Sequence, residues 1–115
     1  MTEKGIADKT AIDIRNFTRE RNWEQFHNPK DMAISISLEA AELLEVFQWS
    51  GQDVEASNKR AELEEELADV LICSIQLAQV LNLDMDAIIA KKMAKNRAKY
   101  PVEKSYGSAK KYTEL

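Results

Sequence analysis

At 115 residues, with 44% hydrophobic and 31% charged, the chain is long enough for one packed domain and too apolar to stay disordered. Its 20 acids against 16 bases leave a formal charge of −4, which excludes a general nucleic-acid binder, whose affinity rests on a basic footprint. A single cysteine, Cys73, excludes an internal disulfide framework, and residues 1–9 lack the apolar stretch of a secretory signal, so a cytoplasmic protein is expected.

Only three glycines and two prolines interrupt the chain, and apolar residues recur at helical spacing almost throughout. A first helix is predicted over about residues 9–21, with Ile12, Ile14 and Phe17 supplying its apolar contacts. Asn28-Pro29 then reads as an N-cap followed by proline at the first helical position, where a missing N–H costs nothing. The second helix runs over about residues 29–49 and stops near Ser50-Gly51, where glycine accepts the left-handed conformation that ends helices. A polar loop over 50–58 follows, with Ser57 or Asn58 capping a third helix that reaches about Leu81 and ends at Asn82. Asp84 caps a fourth, which stops before Pro101 because a residue preceding proline is pushed out of the α region. Residues 102–115 form an irregular tail. The expected fold is all-α, an up-and-down four-helix bundle in a single domain spanning 1–115.

The third helix is apolar on nearly every side from Val70 onward, although Ser74, Gln76, Gln79 and Asn82 interrupt the run over 70–83. That run is shorter than the roughly 20 residues that cross a bilayer, so no membrane partner is expected and the helix reads as buried. Four short helices cannot easily cover it. A homo-oligomer can, as a dimer or a tetramer, with the surplus apolar face against another copy.

The informative residues are acids placed where leucines belong. At 100° per residue, Glu39 falls within the arc of Met32, Ile36, Leu43 and Val46, with Glu42 at the edge of that arc near Trp49. Glu66 shares a stripe with Val70, Cys73 and Leu77, and Asp69 stands beside it. Each pair is spaced i, i+3, on one face a helical turn apart. Facing stripes bring four carboxylates together, a cluster that burial and mutual repulsion make costly unless a divalent cation binds. Oxygen-only ligands favour Mg²⁺, Mn²⁺ or Ca²⁺ over zinc or copper, and Mg²⁺ fills its shell with water and phosphate. The competing reading is a solvated acidic face that suits a helix N-terminus, and it is preferred for Glu62, Glu64 and Glu65. A di-iron bundle needs Glu-x-x-His pairs, and the sole histidine, His27, sits in a loop.

Glu39-Ala40-Ala41-Glu42 followed by Glu66-Leu67-Ala68-Asp69 is similar to the E-x-x-E, E-x-x-D signature of MazG-like all-α nucleoside triphosphate pyrophosphohydrolases, their dCTP pyrophosphatase and integron-type branches in particular. The resemblance extends over nearly the whole chain. It includes Asn22-Trp23-Glu24-Gln25-Phe26-His27, the stretch from Glu42 to Trp49, Lys92 to Arg97 with Tyr100-Pro101, and the ending from Lys111 to Leu115. Ile14 and Cys73 depart from the pattern, standing where vertebrate members carry a histidine and a tyrosine, and Lys99 replaces an arginine. The resemblance implies that Glu39, Glu42, Glu66 and Asp69 bind Mg²⁺, with Mn²⁺ as a substitute. It implies that Trp23, His27 and Trp49 line a base and sugar pocket, and that Lys92 and Asn96 reach the phosphates. The implied activity is hydrolysis of a (deoxy)nucleoside triphosphate, dCTP preferred, to monophosphate and pyrophosphate. Glu39 is then the first candidate to activate water, with Lys92 neutralising charge.

The residues by themselves leave alternatives open. Trp23, in a polar stretch, and Trp49, at a helix end, stand where a core tryptophan is less expected, though packing or an oligomer contact remains the alternative, and a loop histidine is often an ordinary surface residue. Lys92 and Asn96 share a face at i, i+4, yet Lys91, Lys92, Lys95, Arg97 and Lys99 crowd a helix C-terminus whose dipole welcomes cations. Glu45, one turn beyond Glu42, reads as exposed or as a helper of the metal site. Two other functions fit the pattern: a relative specific for dUTP, dATP or phosphoribosyl-ATP, and a non-enzymatic helical interaction protein.

Overall fold

The computed structural model describes residues 8–115, so most of the stretch over 1–9, where no secretory signal is expected, lies outside the described residues. Among them the chain forms five α-helices and no strand: α1 (Asp8–Glu20), α2 (Pro29–Glu45), α3 (Arg60–Val80), α4 (Met85–Lys99) and α5 (Val102–Ser105). Local signals set most of the boundaries. The Asn28 side chain accepts the Asp31 N–H at 2.9 Å, capping α2, and the Asp84 carboxylate accepts the Ala87 N–H at 3.1 Å, capping α4. Asn82 takes the left-handed conformation (φ 54°) that closes α3.

Two boundaries differ from expectation. α2 stops at Glu45, because the N–H groups of Val46, Phe47 and Gln48 turn to carbonyls three residues back and tighten the chain before Trp49. Neither Ser57 nor Asn58 caps α3, which starts behind Lys59 without a side-chain cap. Asp53 organises that loop instead, accepting N–H bonds from Glu55 (3.1 Å) and Ser57 (2.9 Å) and the Ser57 hydroxyl (3.2 Å). These donors hold its carboxyl below its ordinary value. The tail carries the short α5 and a 3₁₀ turn over Tyr112–Glu114. It folds back so that the Tyr112 ring meets Tyr100 edge-on at 6.1 Å and lies under the Lys99 ammonium.

The dominant packing joins α2 to α3, and α1 lies on the C-terminal half of α3. Ala11 and Ile14 of α1, Ile75 and Ala78 of α3, and Met85 at the root of α4 form the core cluster. Of the three contacts expected from the first helix, only Ile14 is buried, whereas Ile12 and Phe17 are 40% and 44% exposed. The buried face of α1 runs through Ala11, Ile14 and Thr18, so Phe17 points aside, edge-on to Trp23 at 5.6 Å and beneath the Arg21 guanidinium.

A single chain does not close into an up-and-down bundle. α4 turns by 104° from α3 instead of doubling back along it, and it packs closely on none of the other helices. The radius of gyration is 17.5 Å, where a compact domain of this length reaches roughly 13 Å. Leu67, Leu71 and Ile72 on α3 and Ile88, Ile89 and Met93 on α4 remain exposed. The apolar surplus expected of the third helix is therefore uncovered within the single chain. Among the described residues no single helix is long and apolar enough to cross a membrane.

Candidate metal centre and adjoining cavity

Antiparallel packing of α2 on α3 brings the two i, i+3 acid pairs face to face. Glu39, Glu42, Glu66 and Asp69 each offer a carboxylate oxygen, and these four atoms lie within 4.8 Å of one another. Glu39 and Glu66 are half-buried, and Glu42 and Asp69 are exposed, so the cluster sits at the mouth of the helix pair and not deep inside it. Met32, Ile36, Leu43 and Val46 back Glu39 with buried or half-buried apolar side chains, as Val70, Cys73 and Leu77 back Glu66.

The electrostatics are unfavourable without a counter-charge. Burial comes first among the causes that push the Glu39 carboxyl above its usual range, followed by the hydrogen bond its protonated form donates to Glu42 and the charges of Glu42, Asp69 and Glu66. Glu66 is raised by burial and then by Glu42. Burial, with Glu39 and Asp69 next, also pushes up the Cys73 thiol. Glu39 Oε2 and Glu66 Oε2 are buried and have no hydrogen-bond partner, and an orphaned buried oxygen is costly unless something binds it. A hard divalent cation fits these donors: all are oxygens, two are orphaned, and their summed charge is negative. Glu62, Glu64 and Glu65 are exposed, with Glu64 beside Arg60 at 3.6 Å. Glu45 is exposed too.

The other expected site residues are scattered within the single chain. Half-buried His27 lines a cavity of about 220 Å³ between α1, α3 and the turn that precedes α2, together with Arg15, Thr18, Glu24, Gln76 and Gln79. Trp23 lies outside it against Phe17. Trp49, 84% exposed, borders a different depression beside Asp53 and Lys59 at the α2–α3 loop. Lys92 is exposed and Asn96 half-buried on α4, the helix that diverges from the α2–α3 pair.

The cavity residues Thr18, Gln76 and Gln79 were not singled out as functional by their sequence context. A signal existed for Gln76. It continues the stripe of Glu66, Asp69 and Cys73 along α3, so it is a polar residue at an apolar position, the same anomaly that marks the acids. Thr18 carries no such mark, because threonine is common on either face of a helix.

Residues 34–115 match the MazG-like family. The chain is 42% identical to dCTP pyrophosphatase 1 of Rattus norvegicus, an alignment covering 94% of this chain and 69% of the rat protein. It is 39% identical to dCTP pyrophosphatase 1 of Homo sapiens over the same shares of each. A crystal structure of a pyrophosphatase from Archaeoglobus fulgidus superposes with a TM-score of 0.74 at 42% identity, covering 81% of this chain and 90% of that one. With its all-helical architecture and its facing acid pairs, the chain belongs to the MazG-like family.

Proposed function

We propose that this protein is a cytoplasmic, Mg²⁺-dependent nucleoside triphosphate pyrophosphohydrolase that takes dCTP to dCMP and pyrophosphate and so clears the nucleotide pool. The observation that carries the reading is the convergence of four carboxylates, two of them with orphaned buried oxygens. The likeness to dCTP pyrophosphatases supports the choice of substrate. The whole chain acts as one catalytic domain.

In this mechanism Glu39, Glu42, Glu66 and Asp69 hold Mg²⁺, with Mn²⁺ as a substitute. Bound there, the cation supplies Lewis acidity, offsetting phosphate charge and making water more acidic. Glu39 is the general base. It orients the water that attacks the α-phosphorus and accepts its proton. Lys92 neutralises the charge that accumulates on pyrophosphate as it leaves, acting as a point cation, and Asn96, one turn along the same face, binds phosphate oxygen. Trp23 and Trp49 offer flat faces for the base, and His27 hydrogen-bonds base or sugar.

Lys92, Asn96 and Trp49 lie apart from the carboxylates within one chain, and α3 and α4 expose apolar faces. The working unit is therefore a homo-oligomer, a dimer or a tetramer, in which another copy closes the site. A pyrophosphate-release screen over the common NTPs and dNTPs with Mg²⁺ tests the activity. Monophosphate plus pyrophosphate is expected with dCTP. Diphosphate plus inorganic phosphate overturns the bond assignment, and no turnover of any nucleotide overturns the function.

A further inference from the structure

The cavity lined by His27 holds two glutamine amides that bond to α1. Gln76 is 8% exposed and Thr18 4%, and both line the cavity with His27 and Gln79. The Thr18 hydroxyl donates to the Ile14 carbonyl at 3.1 Å. A hydroxyl has one proton, so toward Gln76 it can only accept. The Gln76 Nε2 lies 3.4 Å from that oxygen and donates to it. The Gln79 Nε2 donates to the Ala11 carbonyl at 2.8 Å, a group that cannot donate at all. Amide orientation is normally a matter of assignment; here the Ala11 carbonyl dictates that of Gln79, and Thr18 sets that of Gln76 while its proton is on Ile14. One N–H of each amide is committed to α1, which turns the NH₂ end toward α1 and leaves the carbonyl oxygen Oε1, beside the second N–H, as the acceptor each amide can present elsewhere.

The cavity also lies at the right remove from the acids. Gln76 follows Asp69 by seven residues on the same stripe, two helical turns or about 10 Å along α3, so a nucleotide with its phosphates at the carboxylates can extend its base toward it.

We propose that Gln76, held in one orientation by Thr18, is a specificity-determining residue that selects an amino pyrimidine over its keto counterpart. Cytosine presents an exocyclic N4 amine, a donor, where uracil presents O4, an acceptor. An oriented carbonyl oxygen accepts from the first and opposes the second, leaving two acceptors face to face. Thr18 touches no substrate: it is a positioning residue whose single proton, spent on Ile14, sets the polarity of the amide. The inference rests on the pyrophosphohydrolase reading above.

The test is steady-state kinetics on dCTP and dUTP with the unchanged protein, Thr18→Val, Thr18→Ser and Gln76→Met. The unchanged protein is expected to favour dCTP. Thr18→Val keeps the shape but removes the acceptor, so the amide is free to rotate and the dCTP:dUTP ratio of kcat/KM falls roughly tenfold, the worth of about one hydrogen bond. The change appears in KM, since the base is remote from the bond being broken. Thr18→Ser restores the hydroxyl and with it the ratio. Gln76→Met loses discrimination without needing Thr18 to be touched, so the idea stays testable if Thr18→Val fails to fold. An unchanged ratio in Thr18→Val and Gln76→Met, with only the melting midpoint lowered, overturns the proposal and makes the pair simple packing. A preference of the unchanged protein for dUTP overturns it as well. Failure to turn over any nucleotide is distinguishable from these, because it removes the activity itself.

Discussion

Replacing Glu39 with glutamine is expected to move stability in opposite directions with and without metal. Glu39 Oε2 is buried and unpaired, and its carboxyl shares a space 4.8 Å across with three others. The amide has nearly the same shape and no charge, so it removes both the repulsion and the desolvation of an anion. In chelator the variant melts above the parent. With Mg²⁺ at a hundredfold over its dissociation constant, the parent gains about 2.7 kcal/mol, or about 10 °C in a domain of this length at about 4 °C per kcal/mol. Loss of one direct ligand weakens binding by about a hundredfold, the upper end of what disturbing even an outer partner costs. At the same Mg²⁺ concentration the variant then gains only about 0.4 kcal/mol, or about 2 °C. Thermal melts followed by circular dichroism, in chelator and across a Mg²⁺ titration, read both shifts. A variant that melts below the parent in chelator and keeps the full Mg²⁺ response refutes the reasoning.

Metal-free protein should lose stability as pH rises from acid toward neutral. Glu39 and Glu66 have folded-state pKa values above their usual 4.5, so between 4.5 and those raised values the folded state binds more protons than the unfolded one, and stability falls through that window. Saturating Mg²⁺ should flatten the slope; a slope that persists unchanged in melts from pH 4 to 8 counts against the cluster as its source. Asn28→Ala removes the cap of the helix that carries Glu39 and Glu42, and should cost about 1 kcal/mol, read as a midpoint lower by about 4 °C. Trp49→Ala should leave stability within about 0.5 kcal/mol, because the ring is 84% exposed, while raising the KM for dCTP tenfold or more if the ring stacks on the base. A lower midpoint with unchanged KM would place Trp49 in a packing contact instead. Sedimentation at micromolar concentration should find dimers or larger assemblies, and monomer alone refutes the oligomeric reading.

Much of the site was legible because a helix converts spacing into direction. An acid at every third position of an apolar stripe must point where the stripe points, so Glu39, Glu42, Glu66 and Asp69 could be picked out before any coordinates, and they do converge. Thr18 could not. Its part in the cavity depends on a hydrogen bond to Gln76, 58 residues away, and no local pattern encodes that pairing. Lys92 and Asn96 are candidates through family resemblance alone, and within one chain they lie on a helix that departs from α3 by 104°.

The one-dimensional chain settled what short-range forces control. Helix starts at Asn28-Pro29 and Asp84, the stop at Asn82, and the shared faces of the acid pairs all follow from hydrogen bonds and periodicities within a few residues. Only the tertiary structure decided how the helices lie on one another: the early end of α2, the face α1 buries, and the 104° departure of α4. Those choices come from side chains meeting across elements far apart in sequence, where crossing angles and buried faces are set by the fit of two surfaces and not by either strand of sequence alone.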